Sequence, residues 1–133
     1  MVDLVQLIYA SRPFGFDDGS LKTILVKSRF NNTRDDITGA LICRPDVYLQ
    51  LLEGPRAAVE AAFDRIRRDN RHAEVNRLNL SDVSERLFPA WAMRDDPARS
   101  WLWTPAEVLD GAIERATYDD LLAVFSRLDE EPN

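Results

Sequence analysis

The chain has 133 residues, 45% hydrophobic and 30% charged, with a formal net charge of −6, a single cysteine and a single histidine. A chain of this length suits one domain that buries roughly 68% of its unfolded surface without staples, and no apolar run approaches the ~20 residues of a membrane-spanning helix. The acidic balance argues against nucleic acid as a partner, and one cysteine with one histidine excludes an internal disulfide and the usual zinc ligand sets.

In chain order, the opening MVDLVQLIYASRP carries Asp3 and lacks a basic head and a small-residue cleavage site. It reads as a first strand over 3–10 and not as a signal peptide, which points to the cytoplasm. SRPFGFDDGS is loop punctuation, and Leu21, Ile24, Leu25 and Ser28 recur at helical spacing. NNTRDD is expected to break that helix. ITGALIC and YLQLLE read as two strands joined by the turn RPDV, and Gly54-Pro55 is expected to open a second helix with Val59, Ala62, Phe63 and Ile66 on its inner face. HAEVNRLNLS predicts a fourth strand, and a short fifth is expected around Trp91 to Met93 in FPAWAM.

TPAE then signals a third helix: Thr104 caps, Pro105 takes the first helical position and Glu107 completes a capping box. TYDD repeats the pattern at Thr117 before Leu121, Leu122, Val124, Phe125 and Leu128. The resulting order βαββαββ predicts an α+β (α/β) ferredoxin-like sandwich. Right-handed crossovers place the third strand between the first two, in a mixed five-stranded sheet with two helices on one face. Tyr48, Gln50 and Leu52 alternate with Leu49 and Leu51, so both faces of the third strand are apolar, and the C-terminal helices are the expected cover for the second.

Gln50 is the anomaly in that strand, because a buried amide without partners costs about 1–3 kcal/mol. Tyr9 shares a face with Val5 and Leu7 on the neighbouring first strand, within reach of Gln50 if the two side chains emerge on one face. For isolated residues the plainer reading is a core tyrosine and an amide satisfied by backbone. Asn31 and Asn32 read as a helix C-cap. Arg65, Arg67, Arg68 and Arg71 beside His72 read as a solvated helix end or as a phosphate clamp. Trp91 and Met93 suit a core, and Cys43 is treated as a small buried hydrophobe.

Taken together, LIYAS, SRFNN, DDITGALIC, YLQLLEGP, RIRRDNRH and ERLFPAWAM, spanning Leu4 to Met93, resemble the BLUF family of blue-light-sensing flavin domains. Any one of these motifs is weak, whereas their order and spacing together are highly specific. The resemblance implies a bound flavin, normally FAD, with FMN and riboflavin as alternatives, held between the first two helices. Tyr9 matches the photoactive tyrosine, Gln50 the switching glutamine, and Asn32 the amide facing the flavin pyrimidine edge. Trp91 and Met93 match the residues that follow the switch, and Asn31, Arg65, Ile66, Asp69, Arg71 and His72 match groups lining the flavin or its ribityl-phosphate chain.

On that basis residues 1–95 are expected to form the photosensor core and 96–133 a C-terminal helical extension. No enzymatic activity is expected. With no second domain in view, output is expected in trans, through a partner protein or a second copy of the chain reading the C-terminal helices or the open sheet surface. The competing readings are an acylphosphatase-like hydrolase on the same scaffold and a light-independent small-molecule-binding module. Against the hydrolase, SRPFGFDDG stands where a glycine-rich phosphate loop would be needed.

Overall fold

The computed structural model describes residues 4–13, 26, 29–44, 47–68, 72–88, 94–97 and 102–130. Strands β1 (Leu4–Pro13), β2 (Thr38–Arg44), β3 (Val47–Pro55), β4 (His72–Asp82) and β5 (Arg94–Pro97) form one sheet in the order β4-β1-β3-β2-β5. Residues 29–35 are helical (α1), followed by α2 (Arg56–Arg68), α3 (Pro105–Leu109), α4 (Ala112–Arg115) and α5 (Tyr118–Glu130). β1 pairs antiparallel with β3 and β4, β2 antiparallel with β3, and β2 parallel with β5. The mixed, ferredoxin-like α+β sheet with β1 and β3 at its centre is the one expected from the crossover rule.

Strand alternation sorts the core into two layers. Val5, Leu7, Tyr9, Leu41, Tyr48 and Leu52 pack with Val59, Ala62 and Phe63 of α2. Ile8, Ala10, Ala40, Ile42, Leu49 and Leu51 pack on the other face with Phe88, Val108, Ile113, Leu121 and Phe125. The Phe88 and Phe125 rings meet edge to face at 6.5 Å, so α5 is fastened to the segment that follows β4. At about 1.5–3 kcal/mol for each large apolar side chain buried, neither face of the sheet is dispensable. Gly39 lets β2 approach β3 closely: a Cβ there would lie 1.9 Å from the Leu51 carbonyl oxygen.

Several local expectations are corrected. NNTRDD does not break α1 at its asparagines. The helix runs through 35 and ends at Asp36, whose φ of 59° is left-handed. The Ile37 N–H then bonds the Asn32 carbonyl at 2.8 Å, closing a Schellman-type turn sealed by buried Ile37. Asn31 and Asn32 therefore sit inside the last turns and not at the cap.

Pro55 closes β3, paired with Leu4, and α2 begins at Arg56. The fixed φ of proline suits a strand end as well as a helix start. The fifth strand lies at Arg94–Pro97, whereas Trp91–Met93 lie outside the described residues. RDDP has no apolar alternation because it pairs only at the sheet edge, where polar residues and proline are tolerated. The turn residues Pro45 and Asp46 and the helical positions 21–25 and 28 also lie outside the described residues.

The capping box at Thr104 forms as expected. Its hydroxyl accepts from the Glu107 N–H at 3.2 Å, and its own N–H donates to Glu107 Oε1 at 2.9 Å. This helix is shorter than the pattern suggests: α3 stops at Leu109, and Gly111, with φ 87°, turns the chain into α4. Thr117 and Asp120 make the same reciprocal bonds, each 3.1 Å, at the start of α5.

Candidate functional site

Tyr9 and Gln50 are direct partners in the β1–β3 ladder. Directly opposed residues of an antiparallel pair emerge on the same face, which settles what periodicity alone left open. The Tyr9 hydroxyl donates to Gln50 Oε1, with Tyr9 fully buried and Gln50 4% exposed. The Tyr9 ring also leans on Phe63 of α2 at 5.5 Å. An amide and a phenol thus stand side by side in the layer beneath α2, where a hydrogen bond is electrostatically stronger than in water.

Asn32 is also buried, at 4% exposure, near the end of α1, while Asn31 is half-buried. α1 is tied to α2 by Arg65, which bonds Asp35 at 3.2 Å. A hydrogen bond from Arg34 holds the Asp35 carboxyl below the usual carboxylate range against the opposing effect of burial, and Arg65 adds to it. Ile66 is half-buried against the same apolar layer.

The last turn of α2 carries Arg65, Arg67 and Arg68. Arg65 engages Asp35, Arg68 engages Asp64 at 2.7 Å, and the Arg67 guanidinium lies 5.8 Å from the Phe63 ring centre. His72 opens β4 opposite Pro13. Asp69, Arg71, Trp91 and Met93 lie outside the described residues.

The donor set suits a flavin. The pyrimidine edge of an isoalloxazine presents alternating carbonyl and N–H groups, and a side-chain amide offers both a donor pair and an acceptor. Gln50 and Asn32 are two such amides, both buried, Gln50 on the sheet face that α2 covers and Asn32 near the end of α1, and Phe63 and Ile66 belong to the apolar layer on that face.

A second polar group escaped the sequence reading. Glu53, three residues beyond Gln50, is fully buried on the opposite face, and Gln6 beside it is 3% exposed. The signal was available: an acid in the run YLQLLEGP is as anomalous as the glutamine.

Residues 4–94 match the family described as BLUF, sensors of blue-light using FAD. The chain is similar to photoactivated adenylate cyclase subunit beta of Euglena gracilis, 32% identical over 94 residues that make up 70% of this chain and 11% of that protein. It therefore spans about a tenth of the length of the curated relatives it matches. Among solved structures, the BLUF protein BlrB in its dark state superposes with a TM-score of 0.79 at 29% identity, covering 97% of both chains. A bacterial light-regulated adenylyl cyclase superposes with a TM-score of 0.70 at 31% identity, over 83% of this chain and 33% of that one.

Proposed function

Because the chain belongs to the BLUF family of blue-light sensors that use FAD, we propose that it is a photoreceptor whose switch is the side-chain amide of Gln50. The observation that carries this reading is the buried hydrogen bond from the Tyr9 hydroxyl to Gln50 Oε1. An amide has an acceptor and a two-donor end on nearly the same outline, so reversing it exchanges hydrogen-bonding roles with little change of shape. That makes Gln50 a two-state element whose balance rests on small differences in hydrogen-bond energy.

In this reading Asn31, Asn32, Gln50, Arg65, Ile66, Asp69, Arg71 and His72 hold the cofactor, FAD in preference to FMN or riboflavin. When bound, the flavin supplies absorption of blue light and an excited state able to oxidise a phenol. Tyr9 gives up one electron and its phenolic proton and then recovers both, so no net redox change remains. Gln50 keeps its rearranged amide after Tyr9 is restored, and the new bonding pattern is what the rest of the protein senses.

Residues 1–95 serve as the sensing core and 96–133 as the extension that passes the signal on, with β5 (Arg94–Pro97) spanning the junction. Trp91 and Met93 follow the switch. We read the output as carried to a separate partner protein, or to a second copy of the chain, in the cytoplasm, without enzymatic activity in residues 1–133. That proteins named as photoactivated and light-regulated adenylyl cyclases match this chain over 11% and 33% of their own lengths supports reading it as a sensor module. An absorption spectrum of the protein reconstituted with FAD tests this reading. A yellow protein with a small reversible red shift under blue light is expected, and failure to retain any flavin overturns it.

A further inference from the structure

On the sheet face away from Tyr9, the buried Glu53 carboxylate accepts three hydrogen bonds: Gln6 Nε2 at 3.1 Å, the Leu87 N–H at 2.7 Å and the Phe88 N–H at 2.8 Å. Gln6 Oε1 in turn accepts from the Tyr118 hydroxyl at 2.8 Å. One carboxylate and one amide thereby connect the backbone at 87–88 to the first turn of α5.

The bond directions follow one another: Glu53 accepts from both backbone N–H groups and from the Gln6 NH2, which leaves the Gln6 oxygen for the Tyr118 hydroxyl, the donor. Burial pushes the Tyr118 hydroxyl above its usual titration range, with Asp119 and Glu53 adding to the effect, so the donor proton is retained at neutral pH. The segment is held from its other end by Arg86, which donates to Thr38 Oγ1 at 2.9 Å and to the backbone carbonyls of Glu53 and Asp36 at 3.1 and 2.8 Å. An open surface groove of about 430 Å³, lined in part by Gln6, Arg86, Leu87, Tyr118 and Leu122, runs past this junction.

We propose that Glu53 and Gln6 are positioning residues that couple the 87–88 segment to α5 through Tyr118. A shift of the backbone at 87–88 withdraws donors from Glu53, which frees the Gln6 amide to reorient and releases Tyr118. The first turn of α5 then loosens. The inference rests on the photoreceptor reading above, because it takes the segment leading to Trp91 as the part that moves in light. Glu53 is well placed to receive such a change, since it shares β3 with Gln50.

The test uses the full chain reconstituted with FAD and compares backbone hydrogen exchange over 118–127 in the dark and under blue light. In the wild type, exchange is expected to quicken in light by about tenfold, the factor for one hydrogen bond's worth of opening. Tyr118→Phe and Gln6→Leu are each expected to keep the spectral red shift, to show already in the dark the faster exchange that the wild type shows only in light, and so to lose the light-minus-dark difference. A red-shifting wild type without that difference overturns the coupling, as does a variant that retains it in full. Variants whose dark exchange stays at the slow wild-type rate also overturn it, because the Tyr118 bond is then not what holds the first turn of α5. A wild type that binds no flavin or gives no red shift overturns the photoreceptor reading itself, and the coupling falls with it.

Discussion

Glu53→Leu removes the acceptor of three donors while keeping most of the side-chain volume. The structure supplies the terms of the balance. The Gln6 amide and the Phe88 N–H each lose a partner in buried surroundings, and the Leu87 N–H loses one where the residue is half-buried. At about 1–3 kcal/mol for each of the two buried donors and about 1 kcal/mol for the half-buried one, the gross loss is about 3–7 kcal/mol. Removing the carboxylate recovers several kcal/mol of desolvation cost, which leaves a net destabilisation of about 2–4 kcal/mol. Glu53→Gln is milder. Its amide keeps one acceptor, but its NH2 must face one of two backbone N–H groups that now bond different carboxylate oxygens, at about 1–3 kcal/mol. Urea unfolding reads both, with an unchanged slope showing that stability and not compactness has altered. A double-mutant cycle with Gln6→Leu isolates the Gln6–Glu53 bond, expected at about 1.5–3 kcal/mol for a charged acceptor. A Glu53→Leu protein within about 0.5 kcal/mol of the wild type would refute the reasoning, since an unremarkable surface change has that size.

Gly39→Ala drives a Cβ to 1.9 Å from the Leu51 carbonyl oxygen, where backbone faces backbone and neither strand yields easily. A loss of about 3 kcal/mol or more is expected in the same unfolding assay, and a neutral result would show that β2 and β3 are not so closely apposed. The Glu107 carboxyl is held below its usual value of 4.5, first by the Thr104 backbone N–H and then by the Thr104 side chain. A lowered value means a contribution present above the ordinary carboxylate range and lost as pH falls through the folded-state value. The stability gap between wild type and Glu107→Gln should therefore narrow as pH falls below 4.5, and a gap constant with pH would count against the capping box. Tyr9→Phe deletes only the hydroxyl that bonds Gln50. Flavin should remain bound while the light-induced red shift disappears, and a normal shift in this variant would remove Tyr9 from the switch.

The sheet was legible because its information is local and redundant. YLQLLE alternates between two apolar faces, and a right-handed crossover then leaves one place for β3, beside β1. The pairing of Tyr9 with Gln50 was less so, since facing depends on register, and register is a relation between strands 41 positions apart. The polar chain on the other face is less local still: Gln6 and Glu53 are separated by 47 positions and Gln6 and Tyr118 by 112, so no window of sequence contains them. At the end of α1 a local rule competed and lost. Adjacent asparagines suggested a cap, yet the chain turned where Asp36 adopts a left-handed conformation and Ile37 is drawn into the core. The break between α3 and α4 was readable in principle, because Gly111 lies in an otherwise helical pattern.

The claim on which the account rests is that the Gln50 amide is the element that light rearranges, and the blue-light difference spectrum of Gln50→Leu loaded with FAD tests it most directly. Leucine keeps the bulk of the side chain but has neither a donor nor an acceptor to exchange. The account predicts a yellow protein whose spectrum is unshifted under illumination that red-shifts the wild type. A shift of wild-type size and reversibility in the leucine variant would contradict it.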